Sequence, residues 1–480
     1  MSFIKKQPIF LSFLLVFTWP HLHSAASHPH LSWPWHSIEK TEAFPAQITD
    51  FPENFVFGVG TSAYQVEADC NNSTYATWIS KDPQFQEKPG IACAHDDRYK
   101  EDIQLMKMLG VHAYRFSIEW SKIEPREGEF DYNVLFHYAR VIKELIANGI
   151  QPVIGFHHYS DPQWFMDLGG FEKKRNKKFF TRFCIKAYAT LNQACAFCNL
   201  PESLQPLWLT FNSPAAYAAN GYLTGIRPPG KQNLNCMLNV LANMLDAHVM
   251  VYHALKKLPN SNQSKIGITH NIYQLDPLNP YNPIHRIKCY FANQIVHSCI
   301  YDFFTTGVMS VRLPLKASIY HTNHLAKTSL DFVGLNYYGH GYMATTGGPI
   351  TPTDEIPTQS RYTVYAEGIY RAIKELSDKL ANPLDIPIYI TENGVAADSE
   401  EVRELFLKRY LYAIARAIKR GYDVRGYFYW SFMDNFEWGS YTPKFGLFEV
   451  DRMVDPATGL PALTRSLRPS SNYFVGLARG

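Results

Sequence analysis

The chain has 480 residues, 46% of them hydrophobic and 15% aromatic, with 46 Lys+Arg against 43 Asp+Glu for a formal net charge of +3. That is too apolar and too sparsely charged for disorder, and long enough to bury a large core; collagen and coiled coil are excluded by the same figures. No segment gathers the small positive excess into a face that tracks phosphates, which argues against a nucleic-acid partner.

The first fifty residues read as two segments. Lys5 and Lys6 precede an apolar run from Ile9 to Trp19, followed by Ser24, Ala25 and Ala26. Residues 1–26 are therefore expected to be a signal peptide and the protein to be secreted or otherwise extracytoplasmic. A run of about eleven residues is short against the roughly twenty needed to cross a bilayer, and no later segment reads as a span. Residues 27–50, with repeated His, Pro and Trp, form a lead-in. Export permits disulfides among the eight cysteines, with Cys70 and Cys93, or Cys195 and Cys198, close enough in sequence to consider. Zinc is not expected at Cys195 and Cys198, which lack a second close pair or His cluster. Asn71, Asn72 and Asn262 each open an Asn-x-Ser/Thr sequon.

From residue 51 onward, short β-branched and aromatic runs recur at 55–64, 111–120, 150–159, 204–212, 265–273, 331–340, 386–394 and 424–432. Successive runs start roughly 40–65 residues apart, room for a crossover helix each time, so the strands should be parallel. Helices are legible between them. Ile103, Met106 and Leu109 lie at helical spacing within 98–109 and stop at Gly110; Leu135, Tyr138, Ile142 and Leu145 mark a second stripe ending before Gly149. The longest pattern runs over 236–258. Eight β-helix units without a composition break predict an α/β fold, one (β/α)8 TIM barrel over 51–480 with long βα loops. An open doubly wound sheet is the alternative, but a glycine-rich phosphate turn is missing after the first strand.

In such a barrel the functional groups sit where strands end. Those ends carry Gln65, Arg115, His158, Asn212, Asn336, Tyr338, Glu392 and Trp430, with Glu437 and Trp438 just beyond. Amides, an imidazole, carboxylates and indoles together suit a polyhydroxylated ligand: polar groups take ring hydroxyls and an aromatic face takes the C–H side of a sugar. No cofactor or metal is implied.

These residues stand in motifs that resemble glycoside hydrolase family 1, the β-glucosidase, lactase, myrosinase and klotho-like family. The resemblance spans residues 51–480: Phe57-Gly-Val-Gly-Thr-Ser-Ala-Tyr-Gln-Val-Glu67, Tyr114-Arg-Phe-Ser-Ile-Glu-Trp-Ser121, Asp331-Phe-Val-Gly-Leu-Asn-Tyr-Tyr338, Ile390-Thr-Glu-Asn-Gly394 and Trp430-Ser-Phe-Met-Asp-Asn-Phe-Glu-Trp438. It implies that Glu392 is the nucleophile of a retaining β-glycosidase, held by Tyr338 and Arg115. It further implies that Gln65, His158, Tyr159, Asn212, Asn336, Trp430, Glu437 and Trp438 bind the sugar of a small β-glycoside. An anion at Glu437 disfavours a 6-phosphosugar. Tyr159 and Ser160 replace the Trp and Asp of many members.

The decisive departure is at the end of the fourth strand. A retaining glycosidase needs two carboxyls about 5 Å apart, the second acting as acid and then base. The family places it in Thr-Phe-Asn-Glu-Pro, and this chain reads Thr210-Phe-Asn-Ser-Pro214. Ser213 cannot cycle a proton near neutral pH, a loss of about 10²- to 10⁴-fold, or roughly 2.7–5.5 kcal/mol. Glu119 and Asp161 are the nearest candidate stand-in carboxylates by strand position. Three readings remain open: a glycosidase reduced or limited to good leaving groups, thioglucosides among them; a catalytically inactive pseudoenzyme binding a glycan or a protein partner; and an ordinary O-glycosidase with another proton source. Aglycone choice belongs to the loops 213–235 and 338–365, whose Tyr217, Tyr222 and Tyr342 either form a platform or pack.

Overall fold

The computed structural model describes residues 51–480 apart from 260, 262, 314–316, 354, 457, 458 and the side chain of Cys198. The signal peptide, the lead-in and the Asn262 sequon lie outside the described residues. Eight parallel strands close a barrel in which each is bonded to its neighbours in sequence. They are β1 (Val56–Gly60), β2 (Ala113–Ser117), β3 (Gln151–Gly155), β4 (Leu207–Asn212), β5 (Lys265–Asn271), β6 (Phe332–Asn336), β7 (Ile388–Asn393) and β8 (Val424–Trp430), with β8 pairing back onto β1. All eight expected runs contain one of these strands, and the fold is the predicted (β/α)8 TIM barrel.

The principal outer helices are α1 (His95–Leu109), α2 (Tyr132–Ala147), α3 (Lys177–Cys195), α4 (Leu234–Leu255), α5 (Cys299–Thr306), α6 (Ala366–Leu376), α7 (Glu400–Lys419) and α8 (Asn472–Ala478). Local chemistry fixes their ends. The side chains of Asp131, Asn233 and Ser399 accept from the first backbone N–H groups of α2, α4 and α7, a capping bond whose loss costs about 1 kcal/mol. Gly110 closes α1 in the left-handed conformation at φ 80°, which spares it the β-carbon clash other residues would meet.

Strand alternation divides the core in two. Tyr114 and Phe116 of β2 face the helices, while Ala113, Arg115 and Ser117 face the barrel axis. Inside, Ala113, Val153, Leu207, Leu209, Phe332 and Phe428 form their own buried cluster. The rings of Phe428 and Phe332 fit because β1 and β5 carry Gly58 and Gly267 opposite them: a Cβ there would sit 2.5 and 2.8 Å from ring carbons.

Two expectations need correction, and one open alternative is resolved. First, α4 is long and apolar enough to cross a membrane, contrary to the reading that nothing after the leader is, yet 72% of its most apolar window is buried in the protein. Its apolar residues face the barrel and its neighbours on several sides at once, the pattern of a core helix. Second, Cys70 and Cys93 are free thiols; Cys93 donates to the Asp434 carbonyl at 3.2 Å and Cys70 to the Ala68 carbonyl at 3.6 Å. Cys195 is free as well. Tyr217 and Tyr222, open between platform and packing, are buried and pack.

Candidate active site

The polar strand ends converge on one carboxylate at the C-terminal mouth of the barrel. Glu392 is the penultimate residue of β7 and is 5% exposed. Arg115, from the inward face of β2, donates through Nη1 to its Oε1 at 2.5 Å, and Tyr338, just past β6, donates its hydroxyl to Oε2 at 2.8 Å. Each carboxylate oxygen thus has a donor, and the buried negative charge has a buried cation beside it, the condition for keeping a charged pair out of water. Burial and the Glu392 charge push the Tyr338 phenol well above its ordinary range, so it stays a neutral donor. The Glu-Asn-Gly sequence has a steric reason: a Cβ on Gly394 would lie 1.6 Å from the Trp430 carbonyl oxygen.

A second layer orients the amides. Asn212 Oδ1 accepts from Arg115 Nη2 at 2.8 Å and from Asn336 Nδ2 at 2.9 Å, and Thr391 donates to Asn336 Oδ1 at 2.8 Å. With its oxygen occupied, Asn212 has only its amide nitrogen left for His158 Nε2, 2.9 Å away. Burial first, then the Arg115 charge and His157, hold the His158 imidazole well below its ordinary range. A neutral ring accepting at Nε2 carries its proton on Nδ1. The His158 ring lies nearly parallel to both Trp430 and Trp438, with ring centres 5.6 and 5.9 Å away at 22° and 18°.

On the other side of the pocket Gln65, from the one-turn helix Ala63–Val66, donates to Asn435 Oδ1 at 2.9 Å and Glu437 Oε2 at 2.8 Å, and accepts from Ser62 at 2.7 Å. Burial raises the Glu437 carboxyl to about 7; nearby Arg227 and hydrogen bonds from Gln65 and Trp430 oppose the rise, and the Glu392 charge adds to it. Trp438 also stacks on Tyr64 at 6.0 Å and 8°, and Arg227 clamps its carbonyl at 2.5 Å.

Ser213 follows β4 and is fully buried, in the left-handed region at φ 50°. Asn336 Nδ2 approaches its Oγ at 3.4 Å. Neither carboxylate considered as a stand-in is free. Asp161 accepts from Tyr217 at 2.7 Å and lies 3.2 Å from His157 Nε2. Glu119 accepts from Ser121 Oγ at 2.6 Å and Ser160 Oγ at 2.9 Å, and burial raises its pKa.

All twelve expected site residues lie at this mouth. Sequence reading missed Thr391, Asn435, Arg227 and Tyr362, the last stacked on Tyr338 at 5.4 Å and 19°. Asn435 had a signal, since it sits inside the Trp430–Trp438 motif two residues from Glu437; Arg227 and Tyr362 lie in long loops and had none. Below the mouth, fully buried Arg403 of α7 ties two loops together. It donates to the carbonyls of Val395 and Ala397 after β7, to those of Lys444 and Phe445 after β8, and to the Tyr429 hydroxyl.

Comparison with known proteins agrees with this geometry. The chain is 29% identical over 440 residues to β-glucosidase A of Thermotoga maritima, covering 84% of this chain and 94% of that one. It is also 29% identical to β-glucosidase 20 of Arabidopsis thaliana over 473 residues, 84% of this chain and 85% of that one. Among solved structures, the β-glycosidase of Pyrococcus horikoshii superposes with a TM-score of 0.77 at 34% identity, over 90% of this chain and 95% of that one. The Thermotoga maritima β-glucosidase in complex with deoxynojirimycin gives 0.76 at 26% identity, over 90% and 99%. Residues 47–480 match the profile of glycosyl hydrolase family 1, and the chain belongs to that family.

Proposed function

We propose that this glycosyl hydrolase is an exported retaining β-glycosidase acting on unphosphorylated β-glucosides or close relatives whose aglycone departs without a proton, aryl β-glucosides and thioglucosides among them. The observation that carries the reading is Glu392, bonded at both oxygens by Arg115 and Tyr338, with Ser213 directly after β4. Such a carboxylate is fit to attack an anomeric carbon, and its pocket retains amides, imidazole and indoles for ring hydroxyls. Glu437, ionised above about pH 7, favours a neutral glycone over a phosphorylated one. Export rests on the leader in residues 1–26.

A specific observation also supports the catalytically inactive alternative, in which the pocket binds a glycan without turning it over: Asp161 and Glu119 are both committed to neighbours, so a second carboxyl is not at hand. Hydrolysis of 2,4-dinitrophenyl β-glucoside separates the two. This leaving group needs no acid, and azide replaces the missing base in the second step. Azide-stimulated turnover by the parent, lost in Glu392→Gln, is the expected result. Sugar binding with no turnover and no covalent intermediate overturns the glycosidase reading in favour of the inactive one.

A further inference from the structure

A run of aromatic rings leads outward from Glu392. Tyr338, which donates to Glu392 Oε2, is stacked on Tyr362, and the Tyr362 ring centre lies 6.1 Å from that of Tyr273 at 56°. Tyr273 stands just after β5 and Tyr362 in the long loop after β6. Hydrogen bonds fix that second loop. Gln359 N donates to the Ala396 carbonyl and Gln359 Oε1 accepts from Lys444 N, both at 2.9 Å, and Thr358 Oγ1 donates to the Tyr362 carbonyl at 2.7 Å. Gly341 leaves room for Tyr273, since a Cβ there would collide with the Tyr273 hydroxyl.

Arg361 ends this wall. Its guanidinium carbon lies 5.2 Å from the centre of the Tyr362 ring and Nη2 donates to the Tyr362 hydroxyl at 3.2 Å, a cation–π pose that leaves other donors of the fork available. The side chain is exposed, and among the described residues no ion pair neutralises it. Glu355 of the same loop is committed to His340 at 2.6 Å and Thr363 at 2.5 Å. The other two arginines of the pocket are engaged, Arg115 by Glu392 and Arg227 by the Trp438 carbonyl. The charge on the leaving-group side has thus shifted twice in one direction. Ser213 removes a carboxylate that would repel an anionic aglycone, and Arg361 supplies a positive charge that attracts one. Building on the glycosidase reading above, we infer that this wall is an aglycone subsite for an aryl group bearing a carboxylate: the aryl ring lies against Tyr362 and Tyr273, and its carboxylate pairs with the Arg361 fork.

The test compares 3-carboxy-4-nitrophenyl β-glucoside with 4-nitrophenyl β-glucoside, whose leaving groups are of similar acidity, on the parent, Arg361→Gln and Arg361→Lys, with azide present. The parent should favour the carboxylated substrate by about 10-fold in kcat/KM, the worth of one charge-assisted hydrogen bond, with the difference residing in KM. Arg361→Gln should bring the ratio to about one, while Arg361→Lys, which keeps the charge, retains part of the preference. A parent ratio near one, or a preference that survives Arg361→Gln, overturns the subsite. Absence of turnover with both substrates refutes the glycosidase reading alone, and calorimetric titration then decides the subsite. The parent should bind the carboxylated glucoside about 10-fold more tightly than the other and Arg361→Gln should bind both alike; equal binding of the two by the parent overturns the subsite.

Discussion

Replacing Glu437 by glutamine measures how strongly the pocket resists a second negative charge beside Glu392. Burial, reinforced by Glu392, raises the Glu437 carboxyl from 4.5 to about 7 against the opposing pull of Arg227, Gln65 and Trp430. At about 1.4 kcal/mol per pH unit, ionising it in the folded protein costs roughly 3 kcal/mol more than in the unfolded chain. Solvent reaching the partly open side of the residue brings that to about 2–3 kcal/mol. The folded pKa lies above the unfolded one, so the folded state holds the proton more tightly. The contribution is full below pH 4.5, falls between 4.5 and 7, and is lost above. Urea unfolding of the parent and of Glu437→Gln, followed from pH 4.5 to 7.5, isolates this effect because other titrating groups cancel in the difference. The parent's advantage over the variant should shrink by about 2–3 kcal/mol across the window. A difference that stays flat, or grows with pH, refutes the reasoning.

Two further outcomes follow from the packing of the site. Arg115→Met strips the cation from Glu392 and one donor from Asn212, leaving a buried charge uncompensated; urea unfolding should find it about 3–5 kcal/mol less stable than the parent, and a loss under 1 kcal/mol would contradict the ion-pair assignment. Gly334→Ala places a Cβ 2.7 Å from Thr391 Oγ1 and 2.8 Å from Thr269 Oγ1. It should cost about 1–3 kcal/mol by urea unfolding and lower turnover of 2,4-dinitrophenyl β-glucoside, because displaced Thr391 no longer orients Asn336 for Asn212.

The barrel was legible because its signals are local: eight β-branched runs, crossover-sized gaps, and caps such as Gly110. Boundaries were less so. The third run, read as 150–159, stops as a strand at Gly155; Phe156 to Tyr159 keep a strand-like composition while the backbone turns away to deliver His158 and Tyr159 to the pocket. The hairpin of Val308–Leu313 with Ala317–Thr322 lay unread inside a presumed crossover, since its alternation is interrupted by polar residues on its open face. The site residues were found through their motifs at strand ends. Their couplings were not, because they join residues far apart in the chain: Gln65 meets Glu437 across 372 positions. Arg403 was equally hidden. On an amphipathic helix an arginine reads as a solvated charge, and only the folded loops reveal the carbonyls that bury it.

Arg403 also bears on how this protein can diversify. Four of its five partners are main-chain oxygens, which every residue type supplies. The loops after β7 and β8 are therefore gripped by their backbones, and the side chains they present to the pocket are free to be exchanged without loosening the grip. A lineage can try new pocket rims on an unchanged anchor, and directed evolution of substrate range has its most permissive ground in the partly exposed residues 440–444 rather than in the buried Val395–Ala397.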